Sequence, residues 1–436
     1  MDFARRATKT VARLSASLAQ QKRRGLRQLA CAALTVLLIA AAAHSHGEPW
    51  PRFRGPNGAG QSDATTIPTE WTDKDYNWQV TLQGTGHSSP VVWGDKIVVT
   101  SGDAETAARY VHCRSTTDGS EVWSKSFESG THRLHRKNSY ASSTPALDGQ
   151  SVFVTWATPE EYLVISLDFE TGEEQWRKDL GGYQSAHGYG TSPVVFEDTV
   201  IVTKDHNGES FLAALSRDNG EIAWKSPRGA GGKAAYSVPC IYLAADGTPE
   251  MIFHSTDHGI SGLNPYNGQV KWSASDVFVK RCVNSPVVAA GLVFGTAGQG
   301  GNGDAVVAVR PGTAEQDAEV AYEVRKAAPY VITPVAYNDM LFVWHDTGIV
   351  SCLDAKNGKA HWRERVGGNY SGSPIRVGKY IYCTSEDGTV VVLDAAKKYR
   401  LVAKNELAER SYATPAVSDG RMYLRTETRL FSLGKK

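Results

Sequence analysis

The chain has 436 residues, 41% of them hydrophobic, with 42 glycines, 18 prolines and 11 tryptophans. That composition carries a large core and is too rich in Gly and Trp for an all-helical protein. The formal charge of +1 is unevenly spread: eight Lys/Arg and one acid fall in the first 43 residues, and the other 39 basic and 45 acidic residues give a body of net −6. A body of that sign has no general attraction for nucleic acid or anionic lipid, so nucleic-acid binding is set aside.

Residues 1–43 read as a targeting segment. The basic stretch KRRGLRQ (22–28) leads into LACAALTVLLIAAAA (29–43), an apolar run of 15 residues, of signal-sequence length and short for a membrane span. Ala41 and Ala43 form an A-x-A pattern that puts cleavage near His44, and Arg23–Arg24 followed by Gly25–Leu26 fits twin-arginine export. The long basic region leaves open a cleaved signal peptide or a retained signal anchor. Either implies export to the periplasm or cell envelope, with the membrane touched only through an uncleaved segment. Residues 44–71 follow as an extension containing WPRFRGPNGAGQ (50–61).

From residue 72 to 436 the chain is a self-similar array. A [S/T/V]-P element recurs at Pro90, Pro145, Pro193, Pro239, Pro286, Pro334, Pro374 and Pro415, at spacings of 55, 48, 46, 47, 48, 40 and 41. In the unit 191–227, PVV, TVIVTK, FLAALS and EIAWKS each read as short strands separated by turn residues. Four strands in 40–50 residues are a propeller blade. Gly119–Trp123, Gly172–Trp176, Gly220–Trp224, Gly268–Trp272 and Gly358–Trp362 repeat at one spacing. They predict a left-handed glycine in a tight turn and a tryptophan buried between blades. Blade five is irregular, with GQGGNG (298–303) and Tyr322 at the tryptophan position. The eighth unit supplies three strands (414–433), and NWQVTL (77–82) supplies the fourth. The expectation is an all-β, eight-bladed propeller of four-stranded antiparallel blades, closed by pairing the N- and C-terminal strands, and monomeric.

These units resemble the pyrroloquinoline-quinone (PQQ)-like propeller repeat, through SLDFETGEEQW (166–176), CLDAKNGKAHW (352–362) and SPIRVGKYIYCTSEDGTVVVLDA (373–395). WPRFRGP (50–56) is similar to the opening of exported propellers of planctomycete-like bacteria. The resemblance extends to the repeat of the outer-membrane assembly propeller subunit, and it implies an envelope propeller without fixing a reaction. Its enzymatic members hold PQQ against a tryptophan and, often, adjacent cysteines, with Ca²⁺ on clustered carboxylates. Here Cys31, Cys113, Cys240, Cys282, Cys352 and Cys383 form no adjacent pair and no C-x-x-C. No cofactor and no metal are therefore expected, with PQQ plus calcium kept as the alternative. GQGGNG is followed by a strand-like segment and reads as a glycine-rich hairpin. The turns DHNG (205–208), TDHG (256–259), HDTG (345–348) and SEDG (385–388) read as hairpins.

One feature stands outside the repeat. Before each innermost strand a side chain with a π-face recurs: His87, Tyr140, Tyr189, Tyr236, Tyr330, Tyr370 and Tyr412, with Arg281 and Cys282 replacing it in blade five. Those segments open on one face of the disc and predict a ring around a channel mouth. His132, His135, Lys137, Asn138, His187, Lys233 and Arg281 add cations and donors. For His132 and His135 the neighbouring Arg133, Arg136 and Lys137 argue against metal. The ring has two readings: a ligand site, or tyrosines that plug the channel and hydrogen-bond to neighbouring blades. The functional expectation is a non-catalytic scaffold binding an envelope protein, peptide or glycan on that face. The alternative is a PQQ-dependent dehydrogenase of alcohols or sugars.

Overall fold

The computed structural model describes residues 48–436 apart from 231 and 314. Each repeat folds as four strands paired in chain order, as in Val194–Phe196, Thr199–Lys204, Glu209–Ser216 and Ile222–Ala230 of blade 3. Blades 1 to 7 span residues 91–127, 146–179, 194–230, 240–274, 287–324, 335–365 and 375–406. Blade 8 takes three strands from residues 416–434 and its outer strand, Tyr76–Thr81, from the start of the array. Trp78 pairs with Ser432 and Thr81 with Arg429, so the ring closes as the sequence predicts. The two middle strands of a blade are buried on both faces, because each sheet is clamped between two others; the outer strand keeps little more than its tryptophan inside. The N-terminal targeting assignment lies outside the described residues.

Two contacts hold the blades at fixed spacing. Towards the rim, an indole reaches the next blade and donates to a carbonyl there: Trp78 to Thr116, Trp123 to Phe169, Trp176 to Arg217, Trp224 to Pro265 and Trp362 to Ala396. Tyr322 does the same through its hydroxyl, 2.6 Å from the Ala355 oxygen, which is why tyrosine serves in blade 5. The ring of that side chain lies on the next blade's turn glycine. A Cβ on Gly172 would sit 2.6 Å from Trp123, and one on Gly220 2.5 Å from Trp176. These glycines are therefore required twice, for φ near +70° and for the neighbour's indole. Trp272 departs from the pattern and donates to Glu250 of its own blade at 2.6 Å.

At the axis, the residue before each proline donates its N–H to the hydroxyl of its counterpart in the next blade. Ser89 donates to Thr144, Thr144 to Ser192, Val238 to Ser285, Ser285 to Thr333, Thr333 to Ser373, Ser373 to Thr414 and Thr414 back to Ser89, at 2.9–3.2 Å. The link from Ser192 meets Val238, which has no hydroxyl.

The extension 48–62 pins this ring. Trp50 bridges Val92 of blade 1, Pro51 accepts from Leu147 of blade 2, and Gln61–Ser62 adds a parallel strand beside Ile375–Val377 of blade 7. Arg52 donates to the Pro239 oxygen at 2.6 Å, and Arg54 to those of Pro334 and Pro374 at 2.8 Å. Backbone carbonyls solvate both guanidiniums, and burial lowers them to about 10 and about 9, so both stay charged at neutral pH.

Gly220→Ala should lower stability by about 2 kcal/mol or more through the clash with Trp176, beyond the backbone cost. Gly229, with φ +69° and open space around it, is the control: Gly229→Ala should cost only the left-handed strain, about 1–2 kcal/mol. Val238→Thr should raise stability by about 1 kcal/mol by supplying the missing acceptor. Denaturant midpoints of the three variants check all three.

Candidate functional site at the channel mouth

In every blade the fourth strand ends, and the next blade's first strand begins, on the same face of the disc. The predicted site residues all lie in or beside these junctions, and contacts join them from one blade to the next. The His87 ring lies 4.3 Å from that of Tyr412, and the His135 ring 4.9 Å from that of His187. Arg281 Nη1 is 3.2 Å from His187 Nε2 and 3.4 Å from the Tyr330 hydroxyl, spanning three junctions. Tyr236 shares a 2.7 Å hydrogen bond with Ser185 and donates to the Gly188 oxygen. Lys233 reaches the Val279 oxygen at 3.1 Å.

The stretch 131–138 lies across this face. Asn138 donates to the carbonyls of His187 and Tyr189, at 2.6 and 3.1 Å. Lys137 pairs with Glu386 of blade 7 at 2.6 Å, and Ser371 donates to the same oxygen. Tyr140 donates to the His132 oxygen at 2.9 Å while its other face carries the buried Arg109, 4.6 Å from the ring centre.

Two ring members turn away from the mouth. Tyr189 is 6% exposed and its hydroxyl hydrogen-bonds with those of Thr155 and Tyr162 inside blade 2; Tyr370 is 1% exposed and packs against Trp344. For Tyr189, hydrogen bonds into the neighbouring blade, one of the two readings above, describe its place. The repeat places a residue at a junction, but local packing decides which way it turns. Tyr330 is also buried, but its hydroxyl stays beside Arg281.

Sequence reasoning missed Glu386, Asp346, Arg109, Arg425 and Ser185. The acidic turns are hairpins as expected, yet they open on the junction face and do more. Asp346 accepts the N–H groups of Tyr330 and Val331 at 2.6 and 3.0 Å, and Asp205 faces Arg228 at 3.8 Å. The usable signal was topological: the second hairpin of each blade lies on the same face as its junctions. Arg425 is 2% exposed, donates to the Ser88 oxygen at 2.8 Å, and is lowered by burial to about 9. Burial and then Arg425 depress His87 to about 3; burial, Arg281 and His135 bring His187 to about 4. At neutral pH the positive charge of the mouth therefore comes from Arg and Lys. Among the described residues no three His, Cys, Asp or Glu side chains converge so as to hold a metal ion.

Eight four-stranded blades closed by a shared terminal sheet, with the PQQ-like repeat in each, define a PQQ-like β-propeller. The chain belongs to the family described as outer membrane protein assembly factor BamB, whose model matches residues 107–328 and 323–433. It is 24% identical over 314 residues to the outer membrane protein assembly factor BamB of Yersinia pestis, covering 69% of this chain and 74% of that one. The crystal structure of BamB from Moraxella catarrhalis superposes with a TM-score of 0.59 at 15% identity, over 82% of this chain and 96% of the other. Quinohemoprotein alcohol dehydrogenase from Comamonas testosteroni does so with a TM-score of 0.64 at 14% identity, over 89% and 80%. At such identities the two structures share the fold alone.

His254 is 1% exposed and burial depresses it to about 3, like His87. A histidine whose folded value lies below its unfolded one stabilises fully above about pH 6.5 and loses that contribution as pH falls towards the folded value. Each pH unit below about 6.5 should cost roughly 1.4 kcal/mol per such group. Melting temperature should fall between pH 6.5 and 5, and His254→Leu should flatten that slope.

Proposed function

We propose that the protein is an exported, non-catalytic binding propeller of the cell envelope that holds a protein or peptide partner on its junction face. Membership of an assembly-factor family supports this reading, and the carrying observation is the state of the carboxylates on that face. Three of them already have partners: Glu386 has Lys137 and Ser371, Asp346 two backbone N–H groups, and Asp205 faces Arg228 at 3.8 Å. A face built in this way presents fixed donors and cations.

The same observation weighs against a quinone held by calcium. Those three acids are engaged, and the buried Cys113, Cys240, Cys282, Cys352 and Cys383 stand in separate parts of the sequence. The residues at the mouth do not fit that group, and the reading needs no cofactor.

Purified protein titrated with PQQ and Ca²⁺ and assayed for dye-linked oxidation of alcohols and sugars should show no turnover; turnover would sink the reading. A photo-crosslinker at Arg136 should give a discrete adduct in intact envelopes. The same group at Asp246, in a first hairpin and so on the opposite face, should give none.

A further inference from the structure

We infer that the mouth takes an acidic peptide segment, its carboxylates held by Arg281 with Lys233 beside it. This rests on the binding reading above and adds the chemistry of the partner. Arg281 comes from the junction of blades 4 and 5, and its Nη1 meets His187 from one junction and Tyr330 from another. That position is near the axis, where a single ligand can touch several blades. Its hydrogen-bonding neighbours are an imidazole held neutral at pH 7 and a phenol, and among the described residues it forms no ion pair with a carboxylate. Arg281 Nε and His187 Nδ1 are both buried without a partner. A guanidinium lacking a counter-ion, with a donor left over, offers a carboxylate a two-pronged, charge-assisted contact.

Lys233 meets the carbonyl oxygen of Val279, two residues before Arg281, and among the described residues no acid, while Arg133 and Arg136 are exposed on the crossing stretch. Other cations nearby do have acids: Lys280 on Asp304, Lys137 on Glu386 and Arg228 on Asp205. The body as a whole carries net −6, so this positive patch is local and an acidic partner would be repelled elsewhere.

Two details favour a peptide over an acidic sugar. Two of the aromatic rings that a sugar would stack on are occupied: Tyr412 by His87, and Tyr140 by Arg109 and His132. The face already accommodates peptide, since 131–138 lies across it through carbonyl contacts and one ion pair.

The test is fluorescence anisotropy of the full chain with a labelled decapeptide of Asp, Glu and Gly, its Asn/Gln/Gly counterpart, and an oligogalacturonate of equal charge. The acidic peptide should bind about tenfold or more tightly than the neutral one, and Arg281→Ala should remove most of that difference. Arg281→Lys should restore part of it, and Lys233→Ala should weaken binding a few-fold, with far-UV circular dichroism reporting that each variant is folded. Raising salt from 50 to 300 mM should weaken the acidic peptide several-fold and leave the neutral one unchanged. No binding of the acidic peptide at millimolar concentration, equal binding of the neutral peptide, tighter binding of the oligogalacturonate, or folded Arg281 variants that bind like the parent would each overturn the inference. The PQQ and Ca²⁺ assay on the same samples separates the two levels. Turnover would remove the binding reading itself; a neutral peptide bound at the mouth without turnover would remove only the acidic chemistry.

Discussion

The spacing of the blades depends on one bond repeated around the axis, from a backbone N–H before seven of the eight prolines to the hydroxyl of the next blade's counterpart. A buried N–H without an acceptor is costly, so each bond both satisfies the strand end and sets how near its neighbour must stand. The indole lying on a glycine performs the same task nearer the rim, where the clearance leaves no room for a methyl group. Two contacts at different radii fix a wedge. Repeated around the ring, that wedge determines how wide the axis is and how the junctions meet above it.

What fills the axis follows from that width. On one side the extension enters and spends two buried arginines on proline carbonyls that the innermost strands turn inward. On the other, the crossing stretch 131–138 is tied to blade 7 by Lys137 and to the next junction by Asn138.

Most of this architecture was legible in the sequence because propeller blades repeat. Eight prolines at regular intervals and five glycine–tryptophan pairs specify blade number, strand order and closure without reference to any tertiary contact. The hydroxyl before seven of the eight prolines was visible as a preference, but its meaning was not, since the partner lies 40–55 residues away. WPRFRGP could be read as a motif, yet nothing local says that Arg54 meets residues 280 and 320 positions further on. The candidate site was legible in part for the same reason. Periodicity puts Tyr189, Tyr330 and Tyr370 at equivalent places, and only packing against Tyr162 or Trp344 turns two of them inward. Glu386 was hidden inside a turn motif whose local chemistry was read correctly and whose reach was not.

The shared sheet of blade 8 also bears on how the chain reaches its fold. Trp78 pairs with Ser432, so a strand made near the beginning stays unpaired until the last residues arrive. The pin at 50–62 likewise waits for blades 6 and 7. Contacts of such separation are slow to form, because long loops must close before any bond is gained. Until then Tyr76–Thr81 is an open edge able to pair with the wrong strand. Closure of the ring is thus a late event, and the period before it is when this protein most needs protection from its own copies.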